Sequence, residues 1–178
     1  MAEAWRVEGI MPRKSLEECA RRIITTRFQE MMSFKEGAID GLDIEFVHDM
    51  RVSSRRLRAA MDNFAECFSK KKFRKYLKKT KNITSTMGAV RDLDVLISKF
   101  KKDAKSLTED EQIGVKNLII QLQQKREEAR KPMLLMFSSL EKEGFDKKFN
   151  RRSTHGNLGN NTITHGDSVQ FATVGSGL

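Results

Sequence analysis

Four nitrogen-rich side chains recur at helical spacing near the middle of the chain, where Val47 to Arg58 spells VHDMRVSSRRLR. At about 100° per residue, these four fall within roughly 80° of one another on a helix; they are His48, Arg51, Arg55 and Arg58. We call them the first basic row. The apolar residues of the same stretch cluster on a neighbouring face. Planar guanidinium groups match phosphate oxygens, so the row predicts binding of a repeating oxyanion. A solvated basic face would have the same periodicity.

The elements that must position this row are predicted to be helices, because apolar residues recur at three- and four-residue intervals along most of the chain. Glycine and aspartate between residues 37 and 43 predict a break after the first helix. Thr108 followed by Glu111 predicts a capping-box start, and Pro132 is expected to kink or split the helix that follows. The predicted helices are 14–36, 43–68, 70–102 and 109–149, the third passing through Gly88.

Long amphipathic helices joined by short breaks predict an all-α fold, an up-down bundle of antiparallel helices. Residues 1–12 are expected to form a short leader, and 13–150 the bundle. From residue 151 the composition changes to Gly, Asn, Thr and Ser without helical periodicity. We therefore expect 151–178 to be a disordered tail, in which two of the three histidines are incidental.

The positive charge of the chain is concentrated around the first basic row. The net charge is +10, and residues 45–102 alone hold 16 Lys or Arg against 6 Asp or Glu. This asymmetry indicates an anionic partner, which could be an inorganic phosphate polymer, nucleic acid or an acidic membrane surface. No apolar run approaches the ~18 residues of a membrane span, so a bilayer-spanning role is not expected.

Further basic residues are candidates for the same surface. Arg74, Lys78 and Lys81 share a helix face at i, i+4 and i+7, and we call them the second basic row. They could form a second wall of one groove or a solvated face. Arg56 points about 100° from Arg55 and is either a secondary contact or a salt-bridge partner.

The acidic residues beside Arg91 have two interpretations. Asp92 and Asp94 could hold Arg91, or an arginine of a neighbouring helix, in one rotamer. They could also bind Mg²⁺ carried by a phosphate chain, but two carboxylates alone make a weak metal site.

Catalysis is not expected from this sequence. His48 and Asp49 spell the dyad of metal phosphohydrolases, but further His and Asp ligands at metal-site spacing are missing. There is no phosphate-binding glycine loop or nucleophile motif. Cys19 and Cys67 lack metal-ligand spacing and indicate a reducing, intracellular compartment. We expect no catalytic residue, metal or cofactor.

The HDMRVSSRRLR stretch and the later VRDLDVL, Val90 to Leu96, together resemble the signature of the CHAD family, the conserved-histidine α-helical domain. The resemblance covers roughly residues 13–150. It implies long bundled helices whose basic faces line a groove or pore that binds inorganic polyphosphate, often at polyphosphate granules. It assigns the first basic row to the anion-facing surface.

The usual domain of that family has two helical halves, and this chain resembles the first. The resemblance therefore implies either a truncated form or self-association that completes the missing half. The alternative function is a general polyanion or nucleic-acid binder using the same basic patch, because Lys70 to Lys79 could also contact nucleic acid or act as a nuclear address. We expect an intracellular protein that is cytoplasmic or associated with polyphosphate granules, with a nuclear location as the alternative.

Overall fold

The computed structural model describes residues 3–154, and every regular element in that range is helical. The helices are α1 (Leu16–Ser33), α2 (Lys35–Asp40), α3 (Ile44–Asn63), α4 (Lys70–Asp103), α5 (Glu109–Lys142) and α6 (Phe145–Thr154). Two 3-10 turns, Ala65–Cys67 and Ala104–Ser106, precede and follow α4. The predicted all-α class is confirmed. None of these helices combines the length and the hydropathy that a membrane crossing requires.

Side chains at the helix starts accept hydrogen bonds from backbone N–H groups that have no partner within the helix. Ser15 Oγ accepts from the backbone N–H of Glu18 at 3.1 Å, and Asp43 Oδ1 accepts from that of Glu45 at 2.9 Å. At the start of α5 the Glu111 carboxylate accepts from the backbone N–H of Thr108 at 3.0 Å. The predicted capping-box start is therefore confirmed.

The core lies where α3 packs between α1 and α4, with α5 against α4 and α6 returning to α1. Aromatic rings close the end that α6 covers. Phe28 of α1 stacks on Phe149 with ring centroids 3.9 Å apart, and Phe145 meets Phe28 edge-on at 5.7 Å. Burial of these rings makes α6 part of the folded body rather than an appendage.

Several predicted boundaries differ from the observed ones. The helix predicted for 43–68 ends at Asn63, and a 3-10 turn carries the remaining apolar residues. Helix α5 continues through Pro132 and ends at Lys142. Gly144, whose φ is 60°, lies between α5 and α6. The first four residues of the predicted tail are helical because α6 extends to Thr154. Residues 155–178, with the rest of that prediction, lie outside the described residues.

The long helices α4 and α5 extend past the core as a two-helix arm. Each has 34 residues, about 51 Å of helix, against 20 residues in α3. The first buried side chain of α5 is Leu122, so its first three turns contact little besides α4. Apolar side chains on the arm are exposed, including Leu96, Ile113 and Ile120.

Arg130 of α5 holds the connection between α2 and α3. Arg130 is 7% exposed and donates from Nη2 to the carbonyl oxygens of Ile39 at 2.8 Å and Asp40 at 3.3 Å. These carbonyls end α2 and have no intrahelical partner. Gly41 follows with a φ of 74°, the left-handed conformation that terminates many helices. The start of α3, and with it the first basic row, is thereby fixed relative to α5.

Candidate functional site

Helix α3 presents the first basic row to solvent because its opposite face is buried. Val47, Met50, Leu57 and Met61 lie in the core with at most 1% exposure. The predicted segregation of basic and apolar residues is therefore present in the structure. Arg55 and Arg58 are exposed, and His48 and Arg51 are half-buried.

Polar contacts set the register between α3 and α4. Thr84 Oγ1 donates to Ser54 Oγ at 3.0 Å, and Thr80 Oγ1 lies 3.7 Å from Met61 Sδ. Residue numbers rise along α3 as they fall along α4, so the two helices are antiparallel. Small hydroxyl residues at these positions let the helices approach closely, and the basic row lies along the solvent edge of this contact.

The second basic row is exposed on α4, and one of its members reaches α3. Lys81 Nζ lies 3.8 Å from Asp62 Oδ1, and Arg58 Nε lies 3.7 Å from Asp62 Oδ2. Lys78 and Arg74 follow at about 4.5 Å and 10.5 Å along the axis of α4, away from the first row. The two rows therefore meet end to end at Asp62. No ion pair joins Lys78 or Arg74 to another residue of the described range.

Arg91 lies at the other end of the first basic row. Its Nη1 is 3.7 Å from Glu45 Oε1, across the α3–α4 interface. Glu45, His48 and Asp49 each offer one ligand atom, and these atoms lie within 4.8 Å of one another. The guanidinium of Arg91 lies against one of these three ligands, Glu45, and its positive charge disfavours a cation there. The neighbourhood of His48 is thus one of mixed charge, unlike that of Arg55.

Arg56 occupies a different side of α3 from the basic rows. Its Nη1 donates to Glu30 Oε1 at 2.6 Å, and Glu30 is fully buried on α1. Arg27 and the Ser53 hydroxyl also contact the Glu30 carboxylate. Of the two roles considered for Arg56, the structure shows the salt-bridge partner. This buried carboxylate is compensated on several sides, as burial of a charge requires.

The carboxylate of Asp94 holds an arginine of a neighbouring helix, one of the two roles predicted for it. Arg126 Nε donates to Asp94 Oδ1 at 2.5 Å, while Arg91 pairs with Glu45 instead. Burial lowers the pKa of Arg126, but the hydrogen bond that it donates to the Asp94 carboxylate offsets this, and the pKa is raised overall. Asp94 therefore joins α4 to α5 and supports the scaffold rather than the basic surface.

Gly88 faces the first basic row, but the space around it would admit a methyl group. A Cβ added there would lie 3.7 Å from Arg51 Nε, an ordinary van der Waals distance. We expect Gly88→Ala to stabilise the fold by about 0.5–1 kcal/mol, because glycine is the costlier residue inside a helix. Urea denaturation measures the change. A loss of stability would instead indicate that α4 needs glycine for a local bend.

The carboxylates that contact the basic surface, Asp62 and Glu45, were not among the residues predicted from the sequence. Asp62 could have been found as the i+4 partner of Arg58. Its second contact, with Lys81, depends on the register of two helices and has no local signal. Glu45 is likewise distant in sequence from Arg91, its partner.

Comparison with known families gives one match. The family model of the CHAD domain matches residues 22–170, which is most of the chain and extends past the predicted boundary at 150. No curated protein and no solved structure matches. The match contains both basic rows and the segment around Arg91 that carried the resemblance. The chain belongs to the CHAD domain family.

Proposed function

We propose that this protein binds inorganic polyphosphate, without catalysis, along the solvent edge of the α3–α4 contact. CHAD domains are associated in general with polyphosphate binding, which supports the substrate class. The observation that carries the proposal is the first basic row itself. Its arginines are aligned on one helix face, and Arg55 is exposed without an ion-pair partner in the described range.

The spacing of the row suits a repeating anion. Residues three and four apart on a helix lie about 5–6 Å from one another, so Arg51, Arg55 and Arg58 can each meet successive phosphate groups. From His48 to Arg58 the helix rises about 15 Å. A flexible linear chain can follow this line and place an oxygen at every guanidinium. A rigid duplex presents its phosphates on a curved surface and meets fewer of them at once.

The remaining candidate residues have different proposed roles. Lys81, Lys78 and Arg74 form a separate basic segment along α4, on the far side of Asp62 from the first row, and Arg91 contributes at the His48 end. Arg56 acts through its ion pair with Glu30, which anchors α3 on α1, rather than through direct phosphate contact. The proposed mechanism is charge neutralisation and counterion release, so affinity should fall steeply with salt.

Titration calorimetry with long-chain polyphosphate and with duplex DNA, matched in phosphate concentration and salt, tests this proposal. We expect polyphosphate to bind at least about tenfold more tightly, a difference of about 1.4 kcal/mol. Single-stranded DNA serves as a thin-chain control. Equal affinities would favour the general polyanion and nucleic-acid alternative. The stoichiometry also tests self-association, because a surface completed by two chains binds one ligand segment per pair.

A further inference from the structure

A carboxylate lies at the junction of the two basic rows. Asp62 is within 3.8 Å of both Arg58 and Lys81, the adjoining ends of the first and second rows. The neighbouring pair Met61 and Thr80 is in contact inside the bundle, which keeps the junction in place. A polyanion that followed both rows would have to pass Asp62.

Local helix physics does not favour an acidic residue at this position. Asp62 lies in the last turn of α3, where the helix dipole disfavours negative charge. The side chains of Arg58, Asp62 and Lys81 are 48%, 45% and 49% exposed, so solvent weakens both ion pairs. The two cations can therefore turn to a ligand at little cost. The negative charge of Asp62 remains and repels a phosphate passing it.

We propose that Asp62 divides the basic surface into two segments, so that one polyphosphate chain engages the first row without continuing onto the second. This inference rests on the proposed function and concerns the length of chain that the site contacts. The first row spans about 15 Å of helix rise. Joining it to the second row would add about 10 Å, from Lys81 to Arg74. Asp62 thus sets the number of phosphate groups bound per site.

The test is a double-mutant cycle with long-chain polyphosphate as the probe, measured by calorimetry at low salt. The first variant is Asp62→Asn, which keeps the side-chain shape and removes the charge. The second variant is Arg74→Gln with Lys78→Gln, which removes the two cations of the second row that do not contact Asp62. Glu128→Gln is the matched control, because it removes one exposed carboxylate from α5, far from Asp62 in sequence.

We expect Asp62→Asn to bind about two- to fivefold more tightly and with a steeper dependence on salt. The second-row changes should alter the affinity of the unmodified chain by less than about twofold, yet abolish the gain in the Asp62→Asn background. The Glu128→Gln control should leave affinity within about twofold of the unmodified chain.

Two results would overturn the division by Asp62. One is an equal loss from the second-row changes in both backgrounds, which would mean that the rows already act together. The other is an equal gain from Glu128→Gln, which would reduce the effect to net charge. The proposed function fails separately, through polyphosphate binding that is absent or independent of the first row, and this inference would then fail with it.

Discussion

Changing Arg51, Arg55 and Arg58 together to Gln is expected to weaken polyphosphate binding by about two orders of magnitude. A hydrogen bond to a charged group contributes roughly 1.5–3 kcal/mol, and the three contacts are neighbours whose losses do not add fully. A hundredfold loss corresponds to about 2.7 kcal/mol. Gln keeps the aliphatic part of the side chain as far as Cδ and removes the positive charge, so the packing of that aliphatic part is largely retained. Titration calorimetry gives the affinities, and circular dichroism verifies the helical fold.

The matched control removes the same charge from another surface. Lys116, Lys125 and Lys131 are exposed on α5 and have no ion-pair partner among residues 3–154. Their simultaneous change to Gln should cost no more than a few-fold in affinity at moderate salt, because screening weakens charges beyond about 10 Å. If both triple variants lose binding equally, net charge governs the interaction and the first basic row has no special role.

Gly41→Ala should lower the free energy of unfolding by at least about 3 kcal/mol. The added Cβ would lie 1.8 Å from Arg130 Nη1, so the buried guanidinium would have to leave the carbonyl oxygens of Ile39 and Asp40. Each buried acceptor left unpaired costs about 1–3 kcal/mol. The φ of 74° adds about 1–2 kcal/mol for any residue with a side chain. Urea denaturation followed by circular dichroism measures the loss.

Two other glycines separate the contributions to this effect. Gly144 has a φ of 60° with nothing within 4 Å of its added Cβ, so Gly144→Ala should cost only the backbone strain, about 1 kcal/mol. Gly114 lies inside α5 in open space, and Gly114→Ala should stabilise by about 0.5–1 kcal/mol. A loss at Gly41 no larger than that at Gly144 would show that Arg130 relocates without penalty.

The sequence predicted what depends on neighbours along one helix. The first basic row and the buried face beneath it follow from the 3.6-residue period, and the Thr108 start follows from capping chemistry. The break near Gly41 was predicted from glycine and aspartate, but the first helix ends earlier than predicted, at Ser33, and Gly37 lies inside α2. The guanidinium that makes Gly41 necessary belongs to Arg130, 89 positions later in the chain. No local sequence pattern predicts this contact.

Other features depended on tertiary packing or on competition between similar patterns. Phe64, Cys67 and Phe68 keep helical spacing, so periodicity could not distinguish the 3-10 turn from further helix. Arg55 and Arg56 are adjacent and chemically identical. Helical spacing separates them by about 100°, but only the buried Glu30 on α1 decides that Arg56 forms an ion pair. The meeting of the two rows at Asp62 likewise required the register of α3 on α4.

The arm formed by α4 and α5 implies that the chain does not unfold as a single unit. In the arm, where α5 precedes Leu122, the two helices are held mainly by each other, whereas the body is held by contacts among several helices. The free energy of local opening follows the number of buried apolar contacts, so the arm opens more readily than the body. Both basic rows lie on the body side, where α4 contacts α3. Fluctuations of the arm therefore leave the anion-binding surface assembled, and the protein comprises two cooperative units of unequal stability.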